Sequence, residues 1–265
     1  MAFLIKSLVS IMKNKEKIVK YTMLLIALIV ILILTIIFKD SLYNAIEKNF
    51  GAKNAIKSLF KGLLNTFIIT VFAFTIGLVL GFIVCLVLEN NSKKTIMLII
   101  KNVVKLYVDV FRGTPMMVQL LIIYFIVFAS YKGSATFIAI ISFGLNSGAY
   151  VSEILRGGIN AIPVGQMEAG RSLGLSYSKV MGNIIFPQAM KNSLPSLGNE
   201  FITLIKETSV AGFVGAFDLT LAFRKIANAT YDYTTVYLVM GLTYFIIVLG
   251  ITKLFKLIEG RMIKC

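Results

Sequence analysis

The chain has 265 residues, of which 58% are hydrophobic and 15% are charged, and it carries 27 Lys and Arg against 12 Asp and Glu. This composition excludes a disordered chain, which would be polar and poor in aliphatic residues. The sequence contains no His, which excludes histidine-based metal sites and histidine general bases, and its two Cys cannot form a four-thiol zinc site.

The apolar residues fall into long blocks, and the first of these is Tyr21–Phe38. It contains no charged residue and is long enough to cross most of a hydrocarbon core of about 30 Å. A cleaved signal peptide is the alternative. However, the run exceeds the usual apolar length of about 7–15 residues, and Lys39-Asp40 follows it where a cleavage site needs small residues. We therefore predict an uncleaved membrane anchor.

Five later blocks predict further membrane-spanning helices, which makes the chain an all-α, polytopic membrane protein with six spans. Their lengths favour helices, because the strands of a membrane barrel need only about 10 residues of alternating polarity. The block that starts at Met116 is short, so its helix is expected to begin before Phe111. The five blocks are Leu63–Leu88, Met116–Ser130, Ala135–Leu155, Leu194–Val214 and Val236–Phe255.

Basic residues are concentrated in alternate segments between these blocks. If the N-terminus is cytoplasmic, the inner segments hold most of the Lys and Arg, so this bias predicts that both termini are cytoplasmic. The sequence lacks the G-x-x-x-x-G-K-[ST] phosphate loop and has no soluble segment large enough for a nucleotide site. The largest inner segment, about 156–187, is therefore the place where a partner would dock.

That inner segment predicts a helical hairpin. Residues from Gln166 to Leu173 can form a short helix, and Gly174 can end it in the left-handed conformation that glycine tolerates best. Ser176 can cap a second helix that runs toward the membrane, and Pro187 is expected to stop or kink that helix. Taken alone, these residues favour a surface hairpin without a specific function.

The same segment resembles the EAA loop of ABC importer permeases, which is Glu-Ala-Ala, three residues, Gly, nine residues and Ile-x-Leu-Pro. The residues that match its spacing in full are Glu168-Ala169, Gly174 and Ile184-x-Phe186-Pro187. Gly170 replaces the second Ala and lowers helix propensity by up to about 1 kcal/mol, so a softer docking helix is expected. The resemblance implies that ATPase subunits dock here. The residues expected to couple to them are Glu168, Ala169, Gly170, Arg171, Leu173, Gly174 and Pro187.

Three further stretches resemble the polar amino acid branch of these permeases. They are Phe111–Pro115, Ala149–Ile159 and Leu194–Phe201, the last followed by Lys206-Glu207-Thr208-Ser209. The resemblance implies the five-helix type I importer fold for residues 62–265, with residues 1–61 forming an N-terminal segment, an added transmembrane helix and an outer loop. By their chemistry alone, Arg112-Gly113-Thr114-Pro115 predict the start of a helix with an anchor at the headgroup level, which is a structural role.

Glu200 and Glu207 lie two helical turns apart, so they face the same side of one helix, with Thr203 between them. A carboxylate within a span costs at least about 2.5–3.5 kcal/mol, so it normally faces an aqueous cavity or a partner. An ion pair between neighbouring helices is the structural alternative. The resemblance implies substrate contact. Two acids suit Arg or Lys, but either one also holds any α-ammonium group, so the residues leave the substrate open.

A second polar stripe, formed by Asn146, Tyr150 and Glu153, can line the same cavity, although Glu153 is expected to pair with Arg156 in the same helix. Elsewhere, Gly77-x-x-x-Gly81 predicts close packing between helices. The residues expected to bind substrate are Glu200, Thr203, Glu207, Thr208, Asn146 and Tyr150.

The resemblance implies the transmembrane subunit of an ATP-driven importer for a polar amino acid in a bacterial inner membrane. Such a subunit performs no chemistry and holds no cofactor, because ATP and Mg²⁺ bind to partner ATPase subunits. The other implied partners are a second permease chain, an extracellular or periplasmic solute-binding protein and the lipid bilayer. The alternative is a secondary transporter or channel driven by an ion gradient. The distribution of Lys along the membrane boundaries argues against a nucleic-acid partner.

Overall fold

The computed structural model describes Thr22, Ile29 and residues 46–51, 53–90 and 92–262. The chain divides into two compact units, Met1–Gly51 and Ala52–Cys265. The predicted first span, Tyr21–Phe38, lies outside the described residues except at Thr22 and Ile29. Within the described ranges the regular structure is helical and no strand occurs, which agrees with the predicted all-α class.

The second unit is a series of helices joined by short connections. The helices are α1 (Lys53–Glu89), α2 (Thr95–Gly113), α3 (Met116–Ile122), α4 (Ala135–Asn160), α5 (Val164–Ser172), α6 (Tyr177–Val180), α7 (Phe186–Glu207), α8 (Leu219–Thr230) and α9 (Tyr233–Met262). Wider π-helical turns follow α3 and α6, over Ile123–Val127 and Met181–Ile185, and a 3₁₀ helix follows α7 over Thr208–Val214.

Three helices of the described part are long and apolar enough to cross a membrane. They are Asn54–Glu89 within α1, the whole of α4 and Tyr233–Leu257 within α9, and each is longer than the span predicted there. Helices α2 and α3 qualify only as a bent pair. The predicted span Leu194–Val214 falls on the later part of α7 and the 3₁₀ helix, where charged residues lower the hydropathy. The predicted total of six spans stays a prediction.

The predicted continuous helix from before Phe111 into the Met116 block is wrong. Helix α2 ends at Gly113, α3 starts at Met116, and their axes differ by 115°. Thr114 between them is extended, with φ −122° and ψ 150°, because a following proline disfavours the helical region. Pro115 directly precedes α3, where its missing N–H removes no helical hydrogen bond.

Helices α1 and α4 approach each other closely through small residues. A Cβ added to Gly77 would lie 2.8 Å from the Cβ of Ser147, and one added to Gly81 would lie 2.6 Å from Cγ1 of Val151. These distances confirm the close packing predicted from Gly77-x-x-x-Gly81. Helices α1, α3, α4 and α7 then share one buried core, which includes Ile69, Ala73, Leu120, Phe143 and Leu204.

Candidate functional site

The hairpin between α4 and α7 forms as the sequence predicts. Helix α5 covers Val164–Ser172, and Gly174 follows it with φ +79°. The Gly174 N–H donates to the Arg171 carbonyl at 3.0 Å, and the Leu175 N–H donates to the Gly170 carbonyl at 3.2 Å. These two bonds form the Schellman motif, which ends a helix and turns the chain.

The second arm of the hairpin is continuous with α7. Ser176 Oγ accepts a hydrogen bond from the Lys179 N–H at 3.4 Å, which caps α6 as predicted. Of the two predicted effects of Pro187, a stop is wrong, because helical conformation continues through the π-helical turn Met181–Ile185 into α7, and a kink stays a prediction. That wider turn already interrupts the regular hydrogen-bond pattern, so the missing N–H of proline costs little there.

Gly170 is the point where α5 contacts α6. It is buried, and a Cβ added to it would lie 2.7 Å from Cγ2 of Val180. A small apolar core of Ile162, Val180 and Ile185 holds the hairpin together. The sequence predicts for Gly170 only a loss of helix propensity, whereas the structure shows that its missing side chain permits the close contact between the two arms.

The outer surface of the hairpin is both apolar and charged. Val164 is 72% exposed and Leu173 is 82% exposed. Glu168, Ala169 and Arg171 are exposed as well. The two apolar side chains stand at opposite ends of α5, with the charged residues between them. Among the predicted coupling residues, only Gly170 lies inside the hairpin, and Pro187 lies at the start of α7.

Glu200 is buried between α7 and α4. Only 8% of the residue is exposed, and its Oε1 accepts a hydrogen bond from Ser147 Oγ at 2.8 Å. Glu207 is the last residue of α7 and is half-buried, as is Thr203. The carboxylate of Glu200 therefore contacts another helix of the same chain, whereas Glu207 keeps partial access to the surroundings.

A polar row runs along α7 beside these acids. Its members recur every three or four residues, which places them on one face of the helix. Four of them are exposed and Thr203 is half-buried. The sequence prediction for this helix rests on its acids and therefore misses the row. Polar residues at helical spacing are the sequence signal that could have predicted it. Polar residues in an apolar helix bundle face water or another chain. The α7 polar row consists of Asn192, Ser196, Asn199, Thr203 and Lys206.

Asn146 and Thr208 are buried and hydrogen-bonded. The Thr208 hydroxyl donates to a backbone carbonyl of α7 at 2.7 Å. Asn146 Nδ2 donates to Gln119 Oε1 at 2.9 Å, and Gln119 Nε2 donates to the carbonyls of Phe111 and Thr114 at 2.8 and 2.9 Å. This network satisfies carbonyl groups at the break between α2 and α3. Asn146 Oδ1 has no hydrogen-bond partner within the described residues.

Charged side chains from α1, α2 and α4 meet in one cluster. Arg156 donates to Glu153 at 2.7 Å, which is the predicted pair, and to Glu89 at 3.0 Å. Arg112 lies 3.4 Å from Glu153, and its guanidinium lies over the ring of Tyr150, 5.6 Å from the ring centre. Arg112, Glu153, Arg156 and Glu89 form what we call the ion cluster. No group of three or more Cys, Asp and Glu in the described ranges is placed to hold a metal ion.

Known proteins resemble this chain over most of its length. Residues 94–264 match the family described as the inner membrane component of binding-protein-dependent transport systems. A Rickettsia typhi protein named as a glutamine transport system permease is 40% identical over 207 residues, which cover 77% of this chain and 93% of that protein. The arginine transport system permease protein ArtQ of Bacillus subtilis is 37% identical over 206 residues, which cover 77% and 92%.

Solved structures agree with these relatives. The crystal structure of an amino acid ABC transporter with histidines matches with a TM-score of 0.71 at 38% identity, covering 78% of this chain and 94% of that one. An inward-facing structure of the MetNI methionine ABC transporter matches with a TM-score of 0.65 at 19% identity, covering 80% and 98%, which shows a shared fold.

The chain therefore belongs to the family of permease subunits of binding-protein-dependent ABC transport systems. It is the transmembrane subunit of an ATP-driven importer. As such a subunit it is not an enzyme, and ATP hydrolysis takes place on separate chains.

Proposed function

We propose that this permease carries a polar amino acid across a bacterial inner membrane, with both of its termini in the cytoplasm. The observation that carries the proposal is the α7 polar row, an exposed line of amide, hydroxyl and ammonium groups within an apolar helical bundle. Such a row needs water or a second chain beside it. Two permease chains, identical or related, that face each other across their α7 helices would enclose a wet path.

The substrate site we propose lies at the end of α7 near Glu200 and Glu207. Their carboxylates suit the ammonium group or a cationic side chain of an amino acid, and Thr203, Thr208, Asn146 and Tyr150 complete the proposed set. The transport systems after which the relatives are named support an amino acid substrate, since they include glutamine and arginine. In this set Asn146 would contribute its unpartnered Oδ1, because its Nδ2 already donates a hydrogen bond to Gln119 at the break between α2 and α3.

Coupling is proposed to run through the hairpin. The exposed Val164 and Leu173, together with Glu168 and Arg171, would dock on an ATPase subunit that holds ATP and Mg²⁺. The second arm continues as a helix from Tyr177 to Glu207, so a push on the hairpin would move the α7 polar row directly. A solute-binding protein would deliver the amino acid to the opposite side of the membrane.

The test is reconstitution of the chain with its ATPase and its solute-binding protein in liposomes, followed by ATP hydrolysis and uptake measured for each of the twenty amino acids. We expect one polar amino acid, or a small group of them, to stimulate hydrolysis and to accumulate only with ATP. Uptake by the permease alone that follows an imposed ion gradient and is lost with an ionophore would instead establish the secondary transporter.

A further inference from the structure

Helix α2 carries an exposed apolar row. Its aliphatic side chains at every third or fourth position are between 48% and 72% exposed. At this spacing they form a continuous stripe along one face. The α2 apolar row consists of Ile96, Ile99, Val103, Leu106 and Val110.

The opposite face of α2 is basic. Lys101 and Lys105 lie on the side of α2 away from the α2 apolar row, Lys94 directly precedes the helix, and Asp109 is the single acid in the sequence of this helix. Within the described part of the chain, none of the three lysines forms an ion pair. Arg112 at the end of the helix is already paired in the ion cluster. Lys94 and Lys105 are exposed and Lys101 is half-buried, so the three unpaired ammonium groups are available to bind anions.

A third face attaches α2 to the rest of the bundle. Val108 is buried, and the Tyr107 hydroxyl donates to the Leu145 carbonyl of α4. The rings of Tyr107 and Phe111 pack with their centres 4.9 Å apart. Val108 and the half-buried Lys101 lie on nearly the same side of α2, so the lysines border the attached face, whereas the α2 apolar row points away from the protein.

The chain leaves α1 at the ion cluster and returns to it at the end of α2. The helix starts at Thr95, shortly after Glu89 ends α1, and it finishes beside Arg112, which pairs with Glu153. Arg156 joins Glu153 to Glu89, so the last residue of α1 and the last turn of α2 lie at the same level of the bundle. With 19 residues α2 is about 28 Å long. Because α2 begins only a few residues after α1 has reached this level and ends at the same level, and because the chain bends by 115° into α3, the geometry favours a helix that runs along the membrane surface.

We propose that α2 lies in the headgroup region of the bilayer, with the α2 apolar row in the acyl chains and the three lysines on anionic lipid headgroups. Surface helices of this kind bury their apolar face about 5–10 Å into the interface, and Lys residues near the surface attract anionic lipids. The leaflet is the one at the level of the ion cluster, which is cytoplasmic in the proposed orientation. The three faces of α2 thus contact protein, acyl chains and headgroups.

Spin labels on single cysteines test the position of the helix. The assembled importer in liposomes would carry a nitroxide at Ile99→Cys, Val103→Cys, Lys101→Cys or Lys105→Cys, in a Cys265→Ser background. Cys85 is fully buried and can remain, with the unsubstituted background as the control for its labelling. We expect the nitroxides at 99 and 103 to collide mainly with oxygen, which dissolves in the acyl chains. The nitroxides at 101 and 105 should collide mainly with a water-soluble nickel chelate.

Two other outcomes would overturn the proposal. If α2 crosses the membrane, the depth of the labels will change steadily from one end of the helix to the other. If a second permease chain covers the α2 apolar row, the labels at 99 and 103 will be shielded from oxygen as well as from the chelate. In both cases the alternation along the helix is lost.

The lipid partner is tested with spin-labelled phosphatidylglycerol and phosphatidylcholine. Lys94→Gln, Lys101→Gln and Lys105→Gln combined should lower the preference for the anionic lipid by at least about fivefold, which is the change expected from the loss of a single Lys near the surface. Lys57→Gln, Lys61→Gln and Lys132→Gln combined are the matched control, because these three residues are exposed and lie outside α2. An equal preference in the α2 variant and the control would overturn the assignment of the lysines.

Discussion

Gly170 sets the distance between the two arms of the hairpin by its missing side chain. Gly170→Ala would place a Cβ 2.7 Å from Cγ2 of Val180, and overpacking of this kind costs about 1–3 kcal/mol. We predict that the substitution lowers the unfolding temperature of the purified chain and weakens ATP-driven uptake. Thermal melts in detergent and uptake in liposomes measure the two effects.

Two variants control this experiment. Gly165 lies in the same helix, but a Cβ added to it meets nothing within 4 Å, so Gly165→Ala should be neutral or stabilising. Val180→Ala added to Gly170→Ala removes the close contact and should restore much of the lost stability. Equal melting temperatures for Gly165→Ala and Gly170→Ala would contradict the packing argument.

The carboxylates of Glu200 and Glu207 have different surroundings, and their amide variants separate charge from packing. Glu200→Gln keeps a hydrogen-bonding partner for Ser147 but removes the charge. A contact with a charged group is worth about 1.5–3 kcal/mol, so we predict that either Gln variant slows uptake of a cationic amino acid at least about tenfold. A neutral amino acid should lose less.

The measurement is competitive uptake of labelled Lys and Gln in liposomes that contain the whole importer. Ser147→Ala is the matched control, because it disturbs the α4 contact and leaves both charges in place. If both Gln variants keep the wild-type rate and selectivity, the two acids serve packing and the proposed substrate site is wrong.

Among the elements, the hairpin acts on α7 only if its turn is rigid. Gly174 has φ +79° and donates its N–H to the Arg171 carbonyl. Proline fixes φ near −65° and has no N–H, so Gly174→Pro should abolish ATP-driven uptake while the chain still inserts into membranes. Gly174→Ala keeps the N–H and costs about 1–2 kcal/mol, so it should show a partial loss.

Uptake assays and immunoblots of the membrane fraction give the two readouts. Glu168→Lys tests the same element without altering its backbone, and it should also prevent coupling because Glu168 lies on the exposed outer surface. Normal uptake with either Gly174→Pro or Glu168→Lys would show that the hairpin does not couple to the ATPase.

The hairpin was predictable because its signals are local, whereas the break between α2 and α3 was not. Gly174 and Ser176 act within a few residues of their own positions. Pro115 was visible as a helix start, but the apolar residues on both sides of it suggested one continuous helix. The bonds that stabilise the break join Gln119 to Asn146, 27 residues away, and they depend on the register between α3 and α4.

In the whole molecule, hydropathy predicts which helices can cross the membrane but not how each one is oriented or which face is wet. Helices α1, α4 and α9 were predictable because they are long and apolar. Helix α2 is amphipathic, and the ion cluster that holds its last turn also joins Glu89 to Arg156, 67 residues later. The partner of Glu200 is equally distant in sequence, since Ser147 precedes it by 53 residues.

The proposed path and the lipid surface should therefore differ in their access to water. Ser196 and Asn199 belong to the α7 polar row, whereas Leu242 and Ile246 on α9 are 62% and 67% exposed and apolar. We predict that cysteines at 196 and 199 in the assembled importer react with a membrane-impermeant thiol reagent, because they face the wet path. Cysteines at 242 and 246 should react at least about tenfold more slowly, because lipid covers them.

The same reaction rates, measured with and without ATP, also test whether α7 moves. If ATP binding moves the hairpin and α7 together, the reaction rates at 196 and 199 should change when ATP and the solute-binding protein are added, and those at 242 and 246 should not. The same rates in every state would mean that α7 does not gate the path. Protection of 196 and 199 in all states would mean that the α7 polar row is buried against a second chain, so the water-filled path would have to lie elsewhere.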